Sequence, residues 1–96
     1  MNVVRGSRFQ RDMVKIGRAM EDAAVALRFF DAVEELIAQL GHHPFLGRER
    51  PEFGVGRRSW GVPGFRNWVV FYRLQGGSVQ LQRVIHGARD LPRTLR

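Results

Sequence analysis

Arginines spread through the second half of the chain, with one tyrosine and one histidine among them, are the side chains best placed to do chemistry. Arg57, Arg58, Arg66, Arg73 and Arg83 recur through a stretch rich in aromatic and β-branched residues, and Tyr72 and His86 stand beside them. A guanidinium presents a planar donor fork that matches phosphate and carboxylate oxygens and stacks on aromatic rings. Cleaving RNA through its 2′-hydroxyl needs three things: a group to take that proton, a group to protonate the leaving oxygen, and cations for the charge at phosphorus. Cations are plentiful. Proton carriers are not, because Tyr72 and His86 are the candidates in this stretch and Lys15, the single lysine, lies far upstream. Histidine is suited to proton exchange near neutral pH, but an imidazole at a strand end commonly serves as a hydrogen-bonded structural group.

Charge asymmetry points the same way. Residues 1–48 carry seven Arg or Lys against six acids, whereas residues 49–96 carry nine Arg against three acids, giving balances of +1 and +6 that sum to the net +7. From residue 55 onward Asp90 is the sole acid. Like charges crowded together repel, so this surface calls for an acidic or polyanionic partner.

Other chemistries find no support. His42 and His43 are adjacent, so their side chains diverge, and no third ligand is spaced nearby for a metal. Asp31, Glu34 and Glu35 lie on the outward side of an amphipathic segment, with Arg28 as an i,i+3 partner for Asp31. Gly54-Val55-Gly56 lacks the third glycine of a dinucleotide fingerprint. No G-x-S-x-G marks a hydrolase nucleophile, and no cofactor is implied. The chain has no cysteine, which excludes disulfides and thiolate-held metals.

At 96 residues the chain is expected to be one domain, 1–96, with one modest core. A composition 44 % hydrophobic and 26 % charged is that of a globular fold, not a disordered chain. The longest apolar runs, Ala23–Leu27 and Trp68–Tyr72, are far shorter than the roughly 20 residues a membrane span needs. The N-terminus lacks the apolar stretch of a signal peptide, so a cytoplasmic location without membrane contact is expected.

These residues need elements to hold them. Val3–Arg5 is a short possible strand. Ser7-Arg8-Phe9-Gln10 has the form of a capping box. It opens a helix with Phe9, Met13, Ile16 and Met20 on one face, which Gly17 is expected to end or fray. Asp22 caps a longer helix whose stripe is Ala26, Phe29, Phe30, Val33, Leu36, Ile37 and Leu40, with Gly41 at its C′ position. Pro44 to Gly56 has no period and is expected to be turns. The period then changes to two. Strands are expected at Arg57–Val62, Arg66–Leu74 and Val79–His86, joined by Pro63-Gly64 and by Gln75-Gly76-Gly77-Ser78, with a basic tail at Ala88–Arg96. Trp60 and Trp68 are expected in the core. The result is an α+β fold, an N-terminal helical hairpin packed on a twisted antiparallel sheet of three to four strands.

That element order, with Pro44-Phe45-Leu46-Gly47-Arg48, Val70-Phe71-Tyr72-Arg73 and the closing Arg83-Val84-Ile85-His86-Gly87-Ala88-Arg89-Asp90-Leu91-Pro92, resembles the RelE/ParE superfamily of bacterial toxins, and the last string resembles its ParE branch. The resemblance implies a type II toxin neutralised by a cognate antitoxin protein encoded beside it. ParE-like members poison DNA gyrase by binding. Under that reading Arg58, Arg73, Arg83, His86, Arg89 and Asp90 contact the target. RelE-like members cut messenger RNA on the ribosome, and Arg57, Arg66, Arg83 and His86 are the corresponding catalytic candidates. In that ribonuclease branch a tyrosine commonly follows the Arg-x-x-His strand, where this chain has Asp90-Leu91-Pro92. A third reading is an RNA-binding module with Trp60, Trp68 and Tyr72 stacking bases. Its β-α-β-β-α-β order and glycine–aromatic strand do not fit helices that come first, nor Gly64-Phe65-Arg66-Asn67.

Overall fold

An aspartate cap and a pair of glycine turns set the main boundaries. Asp22 accepts hydrogen bonds from the amides of Ala24 (2.8 Å) and Val25 (3.3 Å), satisfying donors that a helix start leaves open. The computed structural model describes residues 1–87. Its helices are α1 (Ser7–Ala19) and α2 (Ala23–His42), and its strands are β1 (Asn2–Arg5), β2 (Arg48–Glu49), β3 (Arg57–Val62), β4 (Phe65–Gln75) and β5 (Ser78–His86). Among the described residues no helix is long and apolar enough to cross a membrane.

The helical hairpin packs on one face of the sheet, as the α+β reading expects. The sheet has five strands in the order β1-β5-β4-β3-β2, and it is mixed. β1 runs parallel to β5, from Asn2 opposite Ser78 to Arg5 opposite Leu81. The additional strand, β2, lies inside the segment expected to be turns and pairs with only Ser59 and Arg58 of β3. Two residues are too few to show a period, and a four-residue first strand carries no mark of the distant strand it will join. Gly64 (φ 78°) makes the β3–β4 turn, and Gly76 and Gly77 (φ 58° and 77°) supply the two positive angles of a tight β4–β5 hairpin.

Alternation along β4 sorts its side chains. Val70 and Tyr72 enter the core with Val62, Val79, Leu81 and Val84, against Phe9 and Ile16 of α1 and Phe29, Val33, Leu36 and Leu40 of α2. Phe29 anchors this layer, meeting Phe65 and Trp68 edge-to-face at centroid distances of 5.3 and 5.8 Å. Such pairs add about 0.5–1.5 kcal/mol beyond their burial. Phe71 and Arg73 leave from the opposite face. Between Phe71 and Tyr72 the pairing jumps from Arg83 to Leu81, so Gln82 is bulged. A bulge bends its strand and re-aims side chains.

Four local expectations differ from the structure. Gly6, not Ser7, takes the N-cap of α1, with no side-chain cap. Its N–H is tied to the carbonyl of Leu81 (3.0 Å), and a Cβ there would lie 2.6 Å from that oxygen, so the chain enters the helix one residue early. Gly17 continues α1 because it is where the Phe30 ring of α2 packs: a Cβ would sit 2.5 Å from the ring. Gly41 lies within α2, which closes when the His43 amide bonds to Gln39 O at 2.7 Å. Trp60 is 37 % exposed. It sits on β3, near the sheet edge, and lines a surface cleft instead of the core. The basic tail expected at Ala88–Arg96 lies outside the described residues. Gly6→Ala should destabilise the fold by about 1–3 kcal/mol through the clash with backbone, read as a lower urea midpoint at unchanged m-value.

Candidate functional site

The sheet face turned away from the helices gathers arginines from three strands. Arg57 and Arg73 are direct cross-strand partners on β3 and β4. Like charges so opposed are destabilising. Arg83 leaves the same face of β5, opposite Phe71. Arg57 Nε donates to Oε1 of the bulged Gln82 at 3.0 Å. Burial, together with the positive charges of Arg73, Arg8 and Arg83, holds the Arg57 pKa below its ordinary value.

Among the described residues one carboxylate answers this cluster. Asp12 of α1 accepts from Arg83 Nε (2.7 Å) and Nη2 (3.1 Å), and also from the Val84 amide (3.1 Å). Both side chains are largely buried, at 14 % and 15 % exposure. The position follows from topology. β1 ends at Arg5 opposite Leu81, so the edge of β5 beyond that point lacks a strand, and α1 brings Asp12 to it. Among the described residues two buried donors remain without acceptors, Arg73 Nε and Arg83 Nη1. An unmet buried donor costs about 1–3 kcal/mol, so each of these groups is open to an acceptor from outside the described residues.

The 3-10 turn Pro51–Phe53 roofs the neighbouring part of the face. Phe53 meets Phe71 edge-to-face at 5.9 Å, and the Arg50 guanidinium lies 5.0 and 5.7 Å from the two ring centroids. Arg50 also bonds Ser59 Oγ and Glu52. Gly54 follows, and a side chain there would collide with Nη2 of Arg73.

The structure therefore brings Arg57, Arg73 and Arg83 together and leaves the other candidates apart. Arg58 points to the helix side, donating to Gly47 O (2.7 Å), pairing with Glu49 (3.3 Å) and covering the Phe45 ring. Arg66 is exposed, near Trp60. His86 meets Trp68 edge-to-face at 5.1 Å on the helix side of the sheet. Arg89 and Asp90 lie outside the described residues. Tyr72 is fully buried: its hydroxyl donates to Pro44 O (2.9 Å) and accepts from the Gly47 amide (2.7 Å). Burial raises its pKa. The phenol is thus a clasp on the 44–47 loop, turned away from the arginine cluster. Among the described residues no three metal-ligating side chains assemble.

Sequence reasoning missed Asp12, Arg8 and Gln82. Asp12 left a signal, since it is the only acid of α1, flanked by Arg8, Arg11, Lys15 and Arg18. Gln82 left none, because a bulge depends on register.

Residues 4–91 match the family described as the ParE toxin of type II toxin-antitoxin system, parDE. The chain belongs to the ParE toxin family. Toxin ParE3 of Caulobacter vibrioides is 33 % identical to this ParE-family chain over 67 residues, covering 70 % of the chain and 64 % of that relative's length. A chain of the chromosomal ParDE TA system from P. aeruginosa superimposes with a TM-score of 0.75 at 18 % identity, over 90 % of this chain and 95 % of that one. At that identity the likeness speaks to the fold alone. In this ParE-family sheet the arginine cluster sits on the face that the helices leave open.

Removing Asp12 leaves a buried guanidinium unpaired. Asp12→Ala should cost about 3–5 kcal/mol in urea unfolding, and adding Arg83→Met should recover part of the loss. Tyr72 is the single tyrosine, so absorbance isolates its titration. The native phenol should ionise above the pH, about 10, at which an unfolded one does. Because its pKa is raised, its stabilising contribution is complete below that pH and is lost as pH climbs through the native value.

Proposed function

We propose that this chain is a growth-inhibiting toxin that binds DNA gyrase through the open face of its sheet and is neutralised by a cognate antitoxin in the cytoplasm. The observation that carries the reading is a cluster of guanidinium groups, two of them with unmet buried donors, whose neighbouring carboxylate among the described residues, Asp12, is held by Arg83 and the Val84 amide. Such a surface is suited to holding an anion. Tyr72, one of two proton carriers in this half of the chain, is committed to Pro44 and Gly47. Arg73 and Arg83 form the centre of the contact; of the other expected contact residues, Arg58 and His86 lie on the helix side of the sheet and Arg89 and Asp90 lie outside the described residues. Family membership supports gyrase as the target and an antitoxin as the partner. Val14 of α1 and Leu27 of α2, 53 % and 63 % exposed, offer apolar footholds for that antitoxin.

Supercoiling by purified gyrase tests the proposal. The wild-type chain should inhibit it, and Arg57→Gln and Arg73→Gln should each weaken inhibition by about tenfold or more, the loss of a charge-assisted contact of roughly 1.5–3 kcal/mol. Unaffected supercoiling, with cleavage of translated messages in primer extension, would replace this reading with ribosome-dependent messenger RNA cleavage by Arg57, Arg66, Arg83 and His86.

A further inference from the structure

Trp60 is an aromatic residue that patterning assigns to the core and folding leaves at the surface. Its neighbours explain what it is suited to. Trp60 lines a cleft of about 600 Å³ together with Arg48, Arg50, Gly61, Pro63 and Arg66. That volume falls within the roughly 300–1,000 Å³ of small-ligand sites. Three arginines thus share one cleft with an exposed indole.

The carboxylates nearby are already engaged. Glu49 pairs with Arg58, and Glu52 pairs with Arg50. No ion pair is formed by Arg48 or Arg66 among the described residues. Arg50 is fixed by Ser59, Glu52 and the rings of Phe53 and Phe71, so it forms a rigid wall. Phe45 provides a contrast. It is also exposed, at 67 %, but the Arg58 guanidinium covers its ring at 5.0 Å. No aromatic ring or guanidinium covers Trp60 among the described residues.

We propose that this cleft binds a nucleotide of a single strand, its base stacked on the Trp60 indole and its flanking phosphates held by Arg48 and Arg66. An acidic peptide would satisfy the arginines and leave the indole wet. A nucleotide satisfies both, because every base has a flat face and carries an anion at fixed reach. The cleft borders the arginine cluster, since Arg50 reaches over Phe71 and Arg48 stands opposite Ser59, but its indole is set apart from it. Trp60 lies three residues along β3 from Arg57, about 10 Å at the usual strand rise, and odd spacing places the two side chains on opposite faces. Trp60 has no part in the proposed gyrase contact, so its variants test this inference apart from gyrase binding.

Fluorescence anisotropy tests it, with the full chain titrated into three labelled probes: a short single-stranded DNA, an RNA of the same sequence, and polyglutamate of matched charge. Trp60→Ala should weaken oligonucleotide binding by about tenfold and leave polyglutamate unchanged, while Trp60→Phe, which keeps a ring, should retain most of the affinity. Arg66→Ala should lower the slope of log affinity against log salt by about 0.7, one single-strand phosphate contact. Melting followed by circular dichroism confirms that each variant is folded. The tighter of the DNA and RNA arms identifies the strand, and equal affinity means that only base and phosphate are read. Oligonucleotide affinity that ignores Trp60→Ala, an equal loss for polyglutamate, or no oligonucleotide binding would overturn the proposal.

Discussion

Positive charge facing positive charge across β3 and β4 is the constraint around which this molecule is organised. Arg57 and Arg73 stand directly opposite one another, Arg83 and Arg8 add to the same field, and among the described residues Asp12 is the one carboxylate bonded to the cluster. A sheet selected for stability alone would place opposite charges or apolar side chains there. Arrangements that cost stability locally are found where a partner later supplies what is missing. In the proposed function the missing component is an anion on the target.

The rest of the fold holds that arrangement in place. Core packing on the helix side fixes β4 and β5, while the bulge at Gln82 turns its amide toward Arg57. α1 takes over the β5 edge where β1 stops, and Asp12 does two things there, accepting the Val84 amide and gripping Arg83. Tyr72 anchors the 44–47 loop from beneath, and the following 3-10 turn lays Phe53 and Arg50 over Phe71. Gly54 keeps that roof clear of Arg73. Each support comes from a different part of the chain, which is why the cluster is legible only in three dimensions.

What the sequence reveals follows from which forces are local. The helices and the three-strand meander are readable because their periods and turn residues act within a few positions: Asp22 caps where it should, and Arg57–Val62 begins and ends as expected. Pairing of β1 with β5 and of β2 with β3 is not readable, since it depends on partners that short segments do not encode. Gly6 and Gly17 look like ordinary breakers until Leu81 and Phe30 are seen beside them. The site is half legible. Arginine abundance marks a cationic surface, but only register separates Arg57, Arg73 and Arg83 from Arg58 and Arg66, and only packing shows that the Tyr72 hydroxyl is committed elsewhere.

The central claim is that the open sheet face is an anion receptor, and the arginine side-chain Nε–H signals report on it directly. Phosphate titrated into isotope-labelled protein, followed by nitrogen-edited magnetic resonance, should shift the Arg57, Arg73 and Arg83 signals along one saturable curve, which Arg73→Gln abolishes. Small, unsaturated shifts spread evenly over all the arginines would contradict the account.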